Sequence, residues 1–289
     1  MTGYAATQGG GNVAQDVVTH LFFIHNWFAS TYGSINGVLW TLAVEVQFYC
    51  VFPLLAVPFL RRPYLTCGAM IAAALAYRLA VTHAPDTYYA GQLIEQLPGY
   101  LDCFGSGMLA AWLYVRLRDH PAVADDAARR WAATAIALAG FLALGVLFQT
   151  FFAMRYENDA FIHWKTVHRT WLALDCIAVA VGSLFAWRAW RAALANPVLL
   201  FFAYISYNWY IYHQFVAREL FAHRIPPWNG NDPHFDPGWQ YAFSAIAFVA
   251  SIAVAALVTY GFERPLLRWI SADRKPFDGA GNLVRRLDG

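Results

Sequence analysis

Apolar runs about as long as a bilayer is thick recur along this chain, and charged residues or prolines cut each one off. A helix needs roughly 20 mostly apolar residues to cross the hydrocarbon layer. Eight segments qualify, near 14–32, 38–60, 64–82, 97–117, 131–153, 170–190, 198–222 and 239–262. His20, His25 and Asn26 interrupt the first. The breaks are Arg61-Arg62-Pro63, Arg116 to Arg130, Arg188 to Pro197, and Pro226-Pro227 onward to Pro237. Lipid offers the backbone no hydrogen bonds, so a spanning chain must satisfy its own. The expected fold is therefore all-α, a polytopic transmembrane bundle. One membrane domain is expected over residues 1–270, followed by a polar, charged tail over 271–289.

Composition agrees. The 289 residues are 59% hydrophobic and only 13% charged, where a soluble domain carries about 25% charged residues. A net charge of +2 and the lack of a basic stripe exclude nucleic acid as a partner. Cys50, Cys67, Cys103 and Cys176 all lie inside apolar runs, with no C-x-x-C pair. They read as buried thiols, not disulfides or zinc ligands. Residues 1–12 are polar and Gly-rich, so no cleavable signal peptide is expected.

The basic residues orient the spans. Arg61, Arg62, Arg116, Arg118, Arg129, Arg130, Arg188, Arg191 and six basic residues from Arg264 onward fall on one side. They make fourteen of the twenty Lys and Arg residues. Arg155, Lys165, Arg169 and Arg224 fall on the other. Under the positive-inside rule both termini face the cytoplasm, and loops 83–96, 154–169 and 223–238 face outward.

Ionisable groups within hydrocarbon are expensive, so those present are expected to line an interior or pair with one another. They are Glu45, Arg78, Asp102, Asp175, His213, Arg218 and Glu219. Glu45 shares a helix face with Thr41, Phe48 and Tyr49; it reads either as a reacting carboxylate or as the ion-pair partner of a cation such as Arg78. Ser206, Tyr210 and His213 follow i, i+4, i+7 spacing and stack hydroxyls beside an imidazole suited to base work. A plain interhelical hydrogen bond is the alternative. Glu263-Arg264-Pro265 closes the last span, because proline cannot continue the ladder. Glu263 reads as reaching inward to an arginine, and Arg264 as meeting lipid phosphate or an anionic donor. His120 and Asp125 form an H-x-x-x-x-D pattern in a polar loop beside Pro121, which chance explains. Loop 223–238, with Trp228, Asn229, Asp232, His234 and Asp236, reads as solvated or as touching a sugar. No metal-ligand spacing or nucleotide fingerprint appears.

The run Leu39-Trp40-Thr41-Leu42-Ala43-Val44-Glu45-Val46-Gln47-Phe48-Tyr49, continuing to Phe52-Pro53-Leu54, resembles the signature of the acyltransferase family 3 membrane enzymes. Three more segments are similar to family segments in the expected order. They are Leu101 to Met108, then Ile205-Ser206-Tyr207 with Tyr210 and His213, then Tyr260 to Arg264-Pro265. The resemblance implies about ten spans in the cell (inner) membrane. It also implies transfer of an acetyl or other short acyl group to a hydroxyl of a surface glycan. Acyl-CoA, most simply acetyl-CoA, is the implied donor substrate, with no bound cofactor; lipid and the glycan acceptor are the implied partners.

Thr41 stands where the family carries serine. The first family spans carry an arginine and a histidine taken as the base, and residues 1–20 hold no arginine and only His20. The chain is thus expected to lack those spans. Glu45, His213, Tyr210 and Ser206 are the catalytic candidates. Trp40, Tyr49, Arg78, Asp102, Glu263 and Arg264 are the substrate-binding ones. A transporter, or an inactive fragment lacking the catalytic helices, are the alternative functions.

Overall fold

The computed structural model describes residues 13–83, 87–118, 127–154, 157–230, 233 and 236–272. The tail beyond Ala272, residues 1–12, His120 with Asp125, and Asp232 with His234 lie outside the described residues. Among the described residues all regular structure is helical. The chain forms two compact units, residues 1–196 and 197–289.

In the first unit α1 (Val13–Leu21) leads to a 3-10 turn at His25–Trp27 and then to α2 (Leu39–Arg61) and α3 (Pro63–Val81). Next come α4 (Thr87–Leu93), a 3-10 turn at Leu97–Tyr100, and α5 (Leu101–Arg118). The unit continues with α6 (Ala127–Ala153), α7 (Asn158–Phe185) and α8 (Arg188–Leu194). The second unit holds α9 (Pro197–Ala222), α10 (Pro237–Val258), a π turn at Thr259–Glu263 and α11 (Arg264–Ala272).

Five helices are long and apolar enough to cross a membrane, and a sixth counts if Arg188–Leu194 and Pro197–Ala222 form one interrupted span. The expectation was eight. Segment 14–32 breaks at Leu21, because His20, His25 and Asn26 end the apolar run and Phe23 takes a positive φ of 54°. Residues 101–118 do form a helix, but Asp102, Arg116 and Arg118 dilute its apolar character. The stretch 154–169, read as an outward loop, is largely helical: α7 begins at Asn158. Its first turns are amphipathic, which a search for uniformly apolar runs overlooks. Large apolar side chains such as Leu54 and Tyr241 stand 75% and 78% exposed on these helices, as a lipid-facing surface requires.

The α6–α7 hairpin packs through glycines. A Cβ at Gly182 would sit 2.9 Å from the Ala133 carbonyl oxygen and the Ala137 amide nitrogen. One at Gly140 would sit 2.9 Å from Val179 Cγ2. Close backbone approach of this kind binds helices in lipid, where no hydrophobic drive remains. Gly145 has nothing within 4 Å of its missing Cβ. Gly182→Ala is expected to destabilise by about 1–3 kcal/mol through overpacking. Gly145→Ala should be neutral, or stabilising by about 0.5–1 kcal/mol through helix propensity. Thermal unfolding of the two variants in detergent checks this; an unchanged Tm for Gly182→Ala would refute the close-packed hairpin.

Candidate functional site

In the first unit, Arg78 and Asp102 are both completely buried. They pair with each other, Arg78 Nη2 to Asp102 Oδ2 at 2.8 Å. Arg78 also donates to the Thr166 carbonyl at 3.1 Å, the Gly99 carbonyl at 2.6 Å and Thr170 Oγ1 at 2.9 Å. The Thr170 hydroxyl donates onward to Asp102 Oδ2 at 2.6 Å, and the Cys103 amide donates to Asp102 Oδ1 at 2.9 Å. Four of the five guanidinium protons are thereby used. The two candidate substrate-binding residues thus form a closed brace between α3, α5 and α7. Arg78 has its carboxylate in Asp102, and Glu45 does not supply it. Glu45 stands exposed on α2, whose buried stripe is Ala43, Val44 and Phe48.

A second ion cluster lies beside it, and sequence reasoning missed it. Glu95 accepts from Lys165 Nζ at 2.6 Å and from Arg169 Nη2 at 2.8 Å. The Tyr100 hydroxyl also donates to it. Arg169 donates to the Ile94 carbonyl at 2.8 Å and covers the Tyr100 ring at 4.1 Å. Gly99 separates the two clusters, and a Cβ there would collide with the Ile94 carbonyl. The signal was the Lys165, Arg169 spacing of four, which puts both on one face once residues 158–170 are read as helix.

The signature helix leans on this cluster. Trp40 packs against Tyr100, ring centroids 5.9 Å apart, and against Tyr32 at 6.3 Å. Phe48 stacks on Phe104 at 3.9 Å. Gln47 donates to Asn26 Oδ1 at 2.8 Å, and Asn26 donates to Gln96 Oε1 at 2.9 Å. Tyr49 points outward, 63% exposed. His20 and His25 stack with centroids 3.9 Å apart, and neither ring nitrogen of His25 has a hydrogen-bond partner among the described residues.

The second unit places three of the candidate residues on an exposed face of α9. Ser206, Tyr210 and His213 line one open, mostly apolar groove together with Trp209, with a volume of about 350 Å³. The opposite face of α9, with Ile205, Asn208 and Val216, is buried. Asn208 anchors α9 to the closing segment, donating to Thr259 Oγ1 at 2.8 Å and Glu263 Oε2 at 2.6 Å. Glu263 was expected to reach an arginine and instead takes this amide. Trp209 Nε1 donates to Ser251 Oγ at 2.8 Å.

The Tyr210 carbonyl lies 2.7 Å from His213 Nδ1. A carbonyl only accepts, so Nδ1 carries the proton and a neutral ring has its free lone pair on Nε2. The same local bond occurs at His20, His83, His168 and His223. Of these histidines, His213 is the one that lines the groove. Arg264 lies between two tyrosines, its guanidinium carbon 4.3 Å from the Tyr204 centroid and 4.6 Å from that of Tyr260.

The acyltransferase family 3 model, described as an acyltransferase domain, matches residues 3–260. The chain belongs to this family. The acyltransferase matches no curated protein and no solved structure. Family and long apolar helices together make it an integral membrane acyltransferase. Its signature residues Trp40 and Phe48 pack inside the first unit, while its Ser206, Tyr210 and His213 face a groove in the second.

Burial alone would raise the Glu95 carboxyl, but Arg169 and Lys165 outweigh it and hold that carboxyl below its ordinary value. A depressed carboxylate stabilises the fold above the unfolded value, about 4.3 for glutamate, and that contribution fades as pH falls through the folded value. The Tm gap between the native chain and Glu95→Gln should be full at neutral pH and shrink on acidification. Arg169→Met should cost roughly 1–3 kcal/mol by removing one of the two cations that hold a buried carboxylate. A gap that widened in acid would contradict the pairing.

Proposed function

We propose that the acyltransferase moves an acetyl or other short acyl group from acyl-CoA to a hydroxyl of a cell-surface glycan or similar acceptor. His213 acts as general base. What carries this reading is the groove that gathers Ser206, Tyr210 and His213. With Nδ1–H held by the Tyr210 carbonyl, Nε2 is free to take the acceptor's proton as its oxygen attacks the thioester carbon. The carbon–sulfur bond then breaks, and the thiolate of CoA leaves and takes up a proton. Ser206, whose hydroxyl donates to the Ala203 carbonyl at 2.9 Å, and Tyr210 lie on the same wall and would line the bound acceptor.

The proposed setting is the inner membrane with both termini cytoplasmic. It rests on the eight-span reading of the sequence, in which fourteen basic residues fall on one side and four on the other. That orientation puts a cytoplasmic donor at one end of the spans and a surface acceptor at the other. The signature carboxylate Glu45, exposed in the first unit, is proposed as a participant whose role a separate substitution isolates.

Membranes containing the full chain, supplied with radiolabelled acetyl-CoA and a surface-glycan fraction, test the reading. His213→Gln should lower transfer about 10²–10⁴-fold, the usual range for losing a general base, with protein level unchanged. Full activity in His213→Gln would remove His213 from the chemistry. Glu45→Gln should abolish transfer; retained activity would make Glu45 structural.

A further inference from the structure

The closing Glu263-Arg264-Pro265 turn builds a cation that contacts two tyrosine rings and has no carboxylate partner among the described residues. Pro265 has no amide proton, and its ring would clash with the carbonyl four residues back. The chain answers with a π turn over Thr259–Glu263, in which the Arg264 amide donates to the Thr259 carbonyl. Such one-turn insertions cluster at functional sites. This one separates Glu263 from Arg264. Glu263 turns to Asn208 at 2.6 Å, while Arg264 enters between the Tyr204 and Tyr260 rings at 4.3 and 4.6 Å.

Cation–π contact with two tyrosine rings restricts the guanidinium before any ligand arrives. Its N–H edge remains, and among the described residues no carboxylate pairs with it. Arg268 follows at i+4, exposed on the same helix face. Like charges at that spacing repel by a few tenths of a kcal/mol, and the adjacent carboxylate, Glu263, is bonded to Asn208 instead of to Arg264. The place suits an anion. The apolar helical stretch Pro237–Ile270 is 34 residues long, about 51 Å at 1.5 Å per residue, against a hydrocarbon core of about 30 Å. One end must leave the hydrocarbon, and α11 is the end that carries the arginines. Its Trp269 is 75% exposed and its Leu267 52%, as for a helix lying in the headgroup layer.

We propose that Arg264, clamped by Tyr204 and Tyr260 and seconded by Arg268, is a phosphate-binding subsite. A planar guanidinium edge engages two phosphate oxygens at once, which an ammonium cannot do. The phosphate belongs either to the CoA moiety of the donor or to a lipid headgroup. The first source rests on the acyl-CoA reading; the second does not.

The test uses the full chain in nanodiscs, in two arms. In phosphatidylcholine alone, unacylated CoA is titrated calorimetrically. In discs containing phosphatidylglycerol and no CoA, native mass spectrometry counts retained anionic lipid. Arg264→Lys keeps the charge and loses the fork; Tyr204→Leu with Tyr260→Leu keeps the fork and loses the clamp. If CoA is the source, both variants should weaken CoA binding about tenfold, and phosphatidylglycerol retention should not change. If a headgroup is the source, retention should fall and CoA binding should not depend on Arg264. Where Arg264→Lys fails to remain monodisperse, the tyrosine pair and Arg268→Gln decide by the same readouts. Independence of both arms from Arg264, the tyrosines and Arg268 overturns the subsite. Such independence with acyl transfer intact would sink this inference alone. Arg264-dependent CoA binding in a chain that transfers no acyl group would sink the transfer reading alone.

Discussion

Arg78 carries a full charge to a position with no solvent exposure, and three helices are arranged around that fact. A buried charge left unpaired costs several kcal/mol, so its partners must all be in place when the helices pack. α5 supplies Asp102, α7 supplies Thr166 and Thr170, and the turn before α5 supplies the Gly99 carbonyl. The directionality of these bonds sets the rotation of α3, α5 and α7, which nonspecific apolar contact does not. From there the structure extends outward. Gly99 adjoins the Glu95 cluster, Tyr100 carries Trp40, and Trp40 fixes the start of the signature helix.

The all-helical, membrane-spanning character of the chain was legible because lipid leaves it one statistical signature, the long apolar run. Family membership was legible from Trp40 to Pro53 and from the segment around His213, both inside the matched residues 3–260. What escaped was whatever departs from uniform apolarity. The first turns of α7 alternate Phe161, Ile162 and Trp164 with Lys165, His168 and Arg169, so they read as a loop although they are helical. The same misreading hid the partner of Glu95. Pairing choices also escaped. Arg78 had two carboxylates open to it, Glu45 and Asp102, and spacing along one helix cannot decide between partners on others. Glu263 took an amide from Asn208 where an arginine was expected, because the π turn rotates it away from its neighbour. A single-sequence reading assumes 3.6 residues per turn, and a proline-induced insertion changes which residues share a face.

The face of α9 was read more accurately than its partners were. Ser206, Tyr210 and His213 do share one wall, because no proline or glycine disturbs the helix between Ser206 and His213. The buried face is organised by Asn208, which bonds to Thr259 and Glu263, while Trp209, at the groove, bonds to Ser251. Those bonds hold α9 against α10 without using the groove-lining hydroxyls. Structural adhesion through Asn208 and the exposed residues Ser206 and Tyr210 thus lie on different sides of one helix, with Trp209 serving both.

That division extends to the two units, and it bears on where chemistry can occur. A group that binds substrate or moves a proton needs a free donor or lone pair, since one already bonded must give up that bond first. Arg78, Asp102 and Glu95 have spent nearly all of theirs on one another and on the backbone. Among the described residues of the first unit, exposed Glu45, the stacked His20 and His25, Gln92 Oε1 and Ser106 Oγ are among the exceptions. In the second unit His213 keeps Nε2, and Arg264 keeps its guanidinium edge while cation–π contact with two tyrosine rings restricts it. The residues most unusual in a hydrophobic sequence, the fully buried charges, are therefore the ones least equipped to react. The capacity for transfer and for anion binding lies with groups that are half-buried, oriented by a neighbour and incompletely bonded.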